Sequence, residues 1–504
     1  MSSAGAFVRL VGAGWTLVRH DALLPRELEA LYPPWLNSIA CALRLFARRD
    51  ARVGRPGERL AWSLERLGPV AIKLGQLLST RADLFGGPFA EDLSRLKDKL
   101  APFPTALARA EVERALGRRL ATVFRDFGEP VAAASLAQAH EGVLLDGRKV
   151  AVKVLRPGIE RRIARDAEVL ALTARLVDGW VRPARRLEPR AFAATVIRAT
   201  ELELDLRLEA AGADELCEVM AKDGFMAAPR VVWEGVGRRV LTLEWAPGWP
   251  LSEAGALTQP GLDRKALADN LIRAFLAQAL DHGVFHADLH EGNLFAAAPD
   301  RLMAVDFGII GRLGAPERRY LAEILWGFLE RDYDRVAQTH FDAGYVPAHH
   351  SVAAFAQALR AVCEPVFGRA ASEVPMSRVL TQLFEITALF DMRLRPELVL
   401  LQKTMMTVEG VARRIYPDHD IWKAADPVVR RWMARELSPA ARVRRFAEEA
   451  AGALSNLARL LREPPGPTAP AHRAPPARPS RLLWFALGAL LTGAAFAGVA
   501  YFGA

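Results

Sequence analysis

Cysteine is scarce: Cys41, Cys217 and Cys363 are the three in 504 residues, and they lie far apart. Without a CxxC pair or an even set they cannot build a disulfide framework, and a reducing compartment fits them. A block of basic charge is missing too. Lys and Arg outnumber Asp and Glu by 67 to 58, giving a net +9, but the arginines are spread along the chain. That spread argues against a nucleic-acid partner and leaves anionic lipid headgroups, or simply an Arg-rich proteome, as the explanation of the charge. The N-terminus lacks a secretory signal, because Arg9 interrupts its apolar stretch and no small-residue cleavage site follows. Phe7, Val8, Leu10, Val11, Trp15 and Val18 there give a helix one apolar face, which would meet either lipid or the protein's own core.

What is present is 51% hydrophobic and 25% charged, the balance of a folded globular protein with some added apolar material. Part of that material is terminal. Residues 482–504, LLWFALGALLTGAAFAGVAYFGA, carry no charge, and 23 residues suffice for one membrane-spanning helix with Trp484 and Tyr501 near its ends. Arg473, Arg478 and Arg481 flank one side only, which would keep the body of the protein in the cytoplasm. Ala489, Gly493 and Ala497 recur every four residues, the spacing of a close helix–helix contact, so a homodimer is an expectation resting on that spacing alone.

Along the chain, residues 1–121 read as a helical extension with apolar positions at three- and four-residue spacing. Residues 124–158 switch to short β-prone runs around Asp146-Gly147, a hairpin signal, and read as strand, loop, strand, turn, strand. Helical patterns return at 159–222, and 231–248 reads as a second hairpin ending in a connector from Glu244 to Gly248. We therefore place an N-lobe with inserted helices at 122–248 and a helical C-lobe at 249–462. A Pro-rich linker at 463–480 and an anchor at 481–504 follow.

Strands, then helices, then a polar loop of carboxylates and an amide is the order of parts in a kinase-like fold. In AVKV, residues 151–154, Lys153 alternates with valines and would point its ammonium at nucleotide phosphates. Alone, such a lysine is as well read as the solvated edge of a half-buried strand. In HADLHEGN, residues 286–293, Asp288 would orient a hydroxyl or water and Asn293 would ligate a metal. In VDFG, residues 305–308, Asp306 would be the main Mg²⁺ ligand. The combination, in this order, points to ATP and Mg²⁺ as cofactors. His282, His286 and His290 fall four apart, but Gly283 breaks the helix that a zinc site would need, so His286 is expected to brace the loop.

Glycine is missing where phosphates should be covered. The segment is VAAASLAQAH, residues 131–140, and Ala132, Ala133, Ala134 and Ser135 would meet the nucleotide with less backbone freedom than glycines allow. Glu244, at the start of the connector, is the further nucleotide-contacting candidate. Ala287 stands where an arginine beside Asp288 would serve phospho-regulation. Ala315-Pro316-Glu317 begins only seven residues after Gly308, too close to enclose a peptide-docking segment.

With these departures the chain resembles the UbiB family, atypical kinase-like ATPases of ubiquinone biosynthesis. The resemblance runs from about residue 5 to 435. It includes KLGQ at 73–76, STRADLF at 79–85, the alanine segment, ELDLRLEA at 203–210, HADLHEGN, DFGIIG and RPELVLLQKTMMTVEGVARRIYP at 395–417. It implies that Lys73 and Gln76 lie over the active site and block protein substrates, that Glu203 and Asp205 form an acidic motif, and that Glu209 pairs with Lys153. Asp205 and Glu209, four apart, would share a helix face and repel without a lysine from elsewhere. Leu289 and Glu291 stand where the family often has proline, and two C-terminal spans are frequent in the family where 23 residues allow one.

The expectation is thus an α+β, two-lobed kinase-like fold with a helical N-terminal extension and a C-terminal transmembrane helix. It would work at the bacterial inner membrane, handling ATP in support of ubiquinone synthesis. Its partners would be membrane lipid, ubiquinone intermediates and other enzymes of that pathway. A small-molecule phosphotransferase would need neither KLGQ nor an anchor, and a non-catalytic scaffold would not need Lys153, Asp288, Asn293 and Asp306 intact.

Overall fold

The computed structural model describes residues 3–23, 34–48, 54–79, 101–180, 188–366 and 396–436, with single residues between 89 and 96 and between 382 and 392. The expected linker at 463–480 and span at 482–504 lie outside the described residues. Among the described residues no helix is long and apolar enough to cross a membrane.

The chain starts with helices α1 (Ser3–Arg19), α2 (Pro34–Arg44), α3 (Pro56–Leu67) and α4 (Pro69–Ser79). Gly68, at φ 111°, separates the last two, and Pro69 starts the new helix without needing the amide hydrogen it lacks. Leu60, Leu64 and Leu78 pack with Leu17 and Val18 of α1 into one apolar cluster. Within it the buried Arg59 is neutralised by Asp21 at 3.7 Å. The apolar face of α1 divides. Leu10, Leu17 and Val18 are buried, whereas Val8 and Trp15 are 67% and 44% exposed, with Trp15 resting on Phe46.

Next come α5 (Thr105–Leu116) and strands β1 (Phe124–Ala133), β2 (Ala137–Leu144) and β3 (Lys149–Leu155). The Asp146-Gly147 turn forms as its residues dictate: Gly147 takes φ 89° and Asp146 Oδ1 accepts the Arg148 amide at 3.0 Å. Strand alternation does the rest. Val150, Val152 and Val154 bury beneath Ala108 and Val112 of α5, which leaves Lys153 on the opposite face. Helices α6 (Ile159–Trp180), α7 (Pro189–Leu202) and α8 (Leu206–Asp223) precede β4 (Val240–Glu244), which completes an antiparallel sheet of order β1-β2-β3-β4. The second hairpin expected at 231–248 is only half formed. Val231 makes a single bridge to Leu243, and a tight turn at Trp233–Gly235, tied by Thr242 Oγ1 to the Gly235 carbonyl at 2.9 Å, replaces the first arm.

Beyond the connector, α9 (Arg264–Ala277), α10 (Ala315–Leu329), α11 (Tyr333–Asp342), α12 (Val352–Cys363), α13 (Pro396–Ile415) and α14 (Ile421–Glu436) make the region mainly helical, as expected. Five short strands that periodicity did not resolve interrupt it: β5 (Trp249–Pro250), β6 (Val284–His286), β7 (Leu294–Ala297), β8 (Arg301–Ala304) and β9 (Ile310–Arg312). None exceeds four residues, too few to show a period of two. They matter because β6 pairs with β9 and β7 with β8, which brackets 287–293 and 305–309 in one place. Leu271 and Phe275 of α9, Val408 and Val411 of α13 and Trp432 of α14 form the floor beneath that bracket.

Candidate active site

Three ionic side chains from three distant elements meet in the cleft. Lys153 Nζ, on β3, lies 2.7 Å from Glu209 Oε1 on α8 and 3.0 Å from Asp306 Oδ1. Burial by itself disfavours the ammonium, but the Asp306 and Glu209 carboxylates outweigh it and hold Lys153 above the ordinary lysine range. The Lys153 charge in turn keeps Asp306 well below the usual carboxylate range. Burial pushes the Glu209 carboxyl up to about 7 against the pull of that lysine. Asp306 adopts φ 63°, a left-handed conformation that costs a non-glycine residue roughly 1 kcal/mol and that packing must maintain. Phe307, buried against the His286 ring at 5.3 Å, supplies that packing.

Asp288 and Asn293 sit in the loop bracketed by β6 and β7. The ring of His286 is fully buried and holds this loop from inside. Its Nδ1 accepts the Asp288 amide at 3.1 Å, so the ring proton belongs on Nε2, which donates to the Val305 carbonyl at 3.2 Å. Burial keeps this imidazole below the ordinary histidine pKa, and the neutral tautomer is the one the hydrogen bonds require. Asn293 Nδ2 donates to the Asp288 carbonyl at 3.0 Å, leaving the amide oxygen of Asn293 for a cation. His290 Nε2 stands 3.7 Å from Asp288 Oδ2, and His282 instead contacts Asp223 at 3.1 Å. The three histidines therefore do three separate jobs and do not gather as metal ligands.

The alanine segment is mostly strand. Ala132 and Ala133 are in β1, opposite Ala139 and Gln138, and only Ala134–Leu136 turns, closed by the Ala134 amide on the Ala137 carbonyl at 2.8 Å. Ser135 is buried in that turn. A residue with no assigned role in the sequence pattern holds it: Arg156 Nε donates to the Ala134 carbonyl at 2.8 Å and its Nη2 to the Ala101 carbonyl at 2.9 Å. Glu244 is not brought to the lysine cluster. It ends β4 with its amide on the Arg230 carbonyl and its carboxylate 3.1 Å from Arg148.

Lys73 on α4 reaches Glu203 at the end of α7 in a close ion pair, and Gln76 follows on the same helix, its carbonyl accepting Ser79 Oγ at 2.6 Å. Burial pushes the Glu203 carboxyl up, with Lys73 pulling against it. Asp205 corrects the expected shared face with Glu209. It is the N-cap of α8, outside the helix proper, accepting the Arg207 amide at 3.2 Å and pairing with the Arg207 guanidinium at 2.6 Å. An aspartate preceding a helix start is a capping signal, and that signal outranks the four-residue spacing. Also missed was Thr404 on α13, whose Oγ1 shares its proton between the Leu400 carbonyl at 2.8 Å and the Ala287 carbonyl at 3.0 Å. It lies inside the run 395–417 that carried part of the resemblance, yet the sequence shows no reason for its contact.

Between Gly308 and α10 the chain forms only β9 and the cap at Gly314, and Ala315-Pro316-Glu317 is the first turn of α10. A long peptide-docking segment has no room there.

Residues 95–340 match the model of the ABC1 atypical kinase-like domain, and residues 359–420 match that of the UbiB helical domain. The chain is 40% identical over 515 aligned positions to the probable protein kinase UbiB of Pseudomonas paraeruginosa, covering 98% of this chain and 95% of that one. The chain belongs to the UbiB family. A second UbiB, from Marinobacter nauticus, is 39% identical over 438 positions, with 86% of this chain and 79% of that one covered. Among solved structures, the Rv3197–erythromycin complex from Mycobacterium tuberculosis superposes with a TM-score of 0.53 at 23% identity. It covers 72% of this chain and 93% of that one, and at that identity it bears on the fold alone. The fold is accordingly kinase-like, of mixed helix and sheet, and the chain is a UbiB-family atypical kinase by descent.

Proposed function

We propose that this UbiB-family chain binds ATP with Mg²⁺ in the cleft between the β1–β4 sheet and the loop 286–293. We further propose that it passes the terminal phosphoryl group to water or a small lipid-derived acceptor, in support of ubiquinone synthesis at a membrane. The observation that carries this reading is Lys153 bridging Glu209 and Asp306 beside Asp288 and Asn293.

The donor set fits a hard divalent cation: one carboxylate and one amide oxygen, with phosphates and water to supply the rest. Asp306 stays ionised and Glu209 ionises at about 7, so beside the single charge of Lys153 the cluster has negative charge to share with a cation above that pH. Asp306 and Asn293 would hold Mg²⁺, which when bound neutralises phosphate charge. The protein's own residues do the positioning. Glu209 orients the Lys153 ammonium toward the phosphates, Asp288 orients the acceptor hydroxyl and takes its proton, and His286 fixes the Asp288 main chain.

Two features favour a small acceptor over a peptide. The Lys73–Glu203 pair ties the N-terminal extension across the core, and the segment after Gly308 is too short to seat a polypeptide. The exposed Val8, Val11, Trp15, Leu45 and Phe46 support a membrane-facing N-terminal surface, together with the apolar run at 482–504.

The test is ATP turnover by the purified full chain, with and without anionic liposomes, for wild type, Asp288→Asn and Asp306→Ala. Both variants should fall at least about 100-fold, since each removes a group that acts on the reacting atoms. Equal turnover in all three would sink the catalytic reading. Disruption of the gene should lower ubiquinone and accumulate an earlier prenylated phenol, and unchanged quinone pools would remove the pathway claim.

A further inference from the structure

Three lysines lie within electrostatic range of the cleft's carboxylates, and two of them are neutralised: Lys153 by Glu209 and Asp306, Lys73 by Glu203. The third is Lys403. Its neighbour on α13, Thr404, sets Oγ1 3.0 Å from the carbonyl of Ala287 and 2.8 Å from that of Leu400 in its own helix, and Ala287 is in turn the neighbour of Asp288. This contact brings the two backbones together, with Lys403 and Asp288 each a single Cα–Cα step, about 3.8 Å, from it. A lysine stem spans roughly 6 Å, enough to bring its ammonium into the space before Asp288. Its electrostatic neighbours are Asp288, which favours the ammonium, and Lys73, which opposes it. Among the described residues the Lys403 ammonium has neither an ion-pair partner nor a hydrogen bond.

Leaving a partly buried ammonium without an ion-pair partner is unfavourable, and its desolvation holds Lys403 below the ordinary lysine range against the pull of Asp288. A structural purpose does not explain it. Thr404 already makes the tie to the loop, and a methionine would fill the same volume without the desolvated charge.

We propose that Lys403 is a phosphate-binding residue of this cleft, its ammonium meeting the terminal phosphoryl group of a nucleoside triphosphate from the α13 side while Lys153 approaches from the sheet. This assignment rests on the nucleotide reading above. In the transfer, the bond from the terminal phosphorus to the bridging oxygen breaks and its electron pair leaves with the diphosphate. A bond from the acceptor oxygen to that phosphorus forms, and the acceptor's proton passes to Asp288. Lys403 faces the group in motion and balances the charge on its oxygens. It is the one lysine of the three whose charge no described carboxylate has already taken.

Lys403→Met and Lys403→Arg, made in the full-length protein, test this by equilibrium binding of ADP and of a non-hydrolysable ATP analogue with Mg²⁺, alongside ATP turnover and thermal unfolding. The methionine variant should bind the analogue about tenfold or more weakly while holding ADP within about twofold of wild type, because only the triphosphate reaches the ammonium. Its turnover should fall by a similar or larger factor, arginine should restore part of both, and the free methionine variant should melt above wild type. Equal weakening of ADP and analogue overturns the assignment, as does unchanged affinity with unchanged turnover. A wild type that binds neither nucleotide overturns the nucleotide reading itself, and the role of Lys403 with it.

Discussion

His286 shows how one buried ring sets both the chemistry and the acid tolerance of the loop. Its Nδ1 must stay unprotonated to accept the Asp288 amide, and burial keeps it so. The folded pKa lies below the value of about 6.5 for an exposed histidine, so below that pH the unfolded chain takes up the proton first. Stability from the neutral ring is therefore fully present above about pH 6.5 and is lost as pH falls toward the depressed folded value. His286→Asn keeps an acceptor for the Asp288 amide and cannot titrate. Wild type should exceed this variant in urea midpoint at pH 7, and the gap should narrow by pH 5.5. A gap that holds or widens would show that the ring is protonated in the fold. Comparison within the pair cancels the opposing contribution of Glu209, whose raised carboxyl favours the fold as pH falls. At this scale the sequence was most legible in which side chains it brings together, as for Lys153 with Asp306 and Asn293 with the Asp288 loop. It was least legible at Asp205, where local capping chemistry competes with helical spacing.

Among elements, legibility followed length and locality. The strands β2 and β3 and the Asp146-Gly147 turn between them stand out because each strand is long enough to alternate and the turn is local, whereas the register of β1 is interrupted. The strands β5–β9 are too short to alternate, and they form because the flanking loops are pulled into register by partners elsewhere in the chain. Contacts such as Thr404 to Ala287, 117 positions apart, leave no local trace at all. Arg156 is the instructive case. It lies just past β3, yet its guanidinium fixes the alanine turn that glycines would have left mobile. Arg156→Ala removes its hydrogen bonds to the Ala134 carbonyl of the turn and to the Ala101 carbonyl, worth together roughly 2–3 kcal/mol. On the proposed nucleotide reading, in which this turn would cover the phosphates without reaching the transferred group, it should raise the KM for ATP several-fold with kcat changed little. A loss confined to kcat, with KM unchanged, would place Arg156 in the chemical step and contradict this account.

At the scale of the whole molecule, the N-terminal helices do two jobs with opposite faces. Through α4 they present Lys73 to Glu203 in the core, and through α1 they bury Leu10, Leu17 and Val18. The outer face of α1 keeps Val8, Val11 and Trp15 at i, i+3 and i+7, and Leu45 and Phe46 extend the same exposed apolar surface. Burying a few such side chains in a lipid interface is worth roughly 1 kcal/mol or more each, and the net charge of +9 adds attraction to anionic headgroups. If that face rests on the membrane, it supplies a lipid contact independent of residues 482–504. Val8→Ser, Val11→Ser and Trp15→Ser together, in the full-length protein, should weaken binding to anionic liposomes about tenfold or more. They should abolish any liposome-dependent gain in ATP turnover and leave turnover without liposomes at the wild-type value, since none of the three touches the cleft. Unchanged liposome binding would assign membrane contact to some other part of the chain. A fall in liposome-free turnover would mean instead that the face packs against the protein's own residues and communicates with the site through α4.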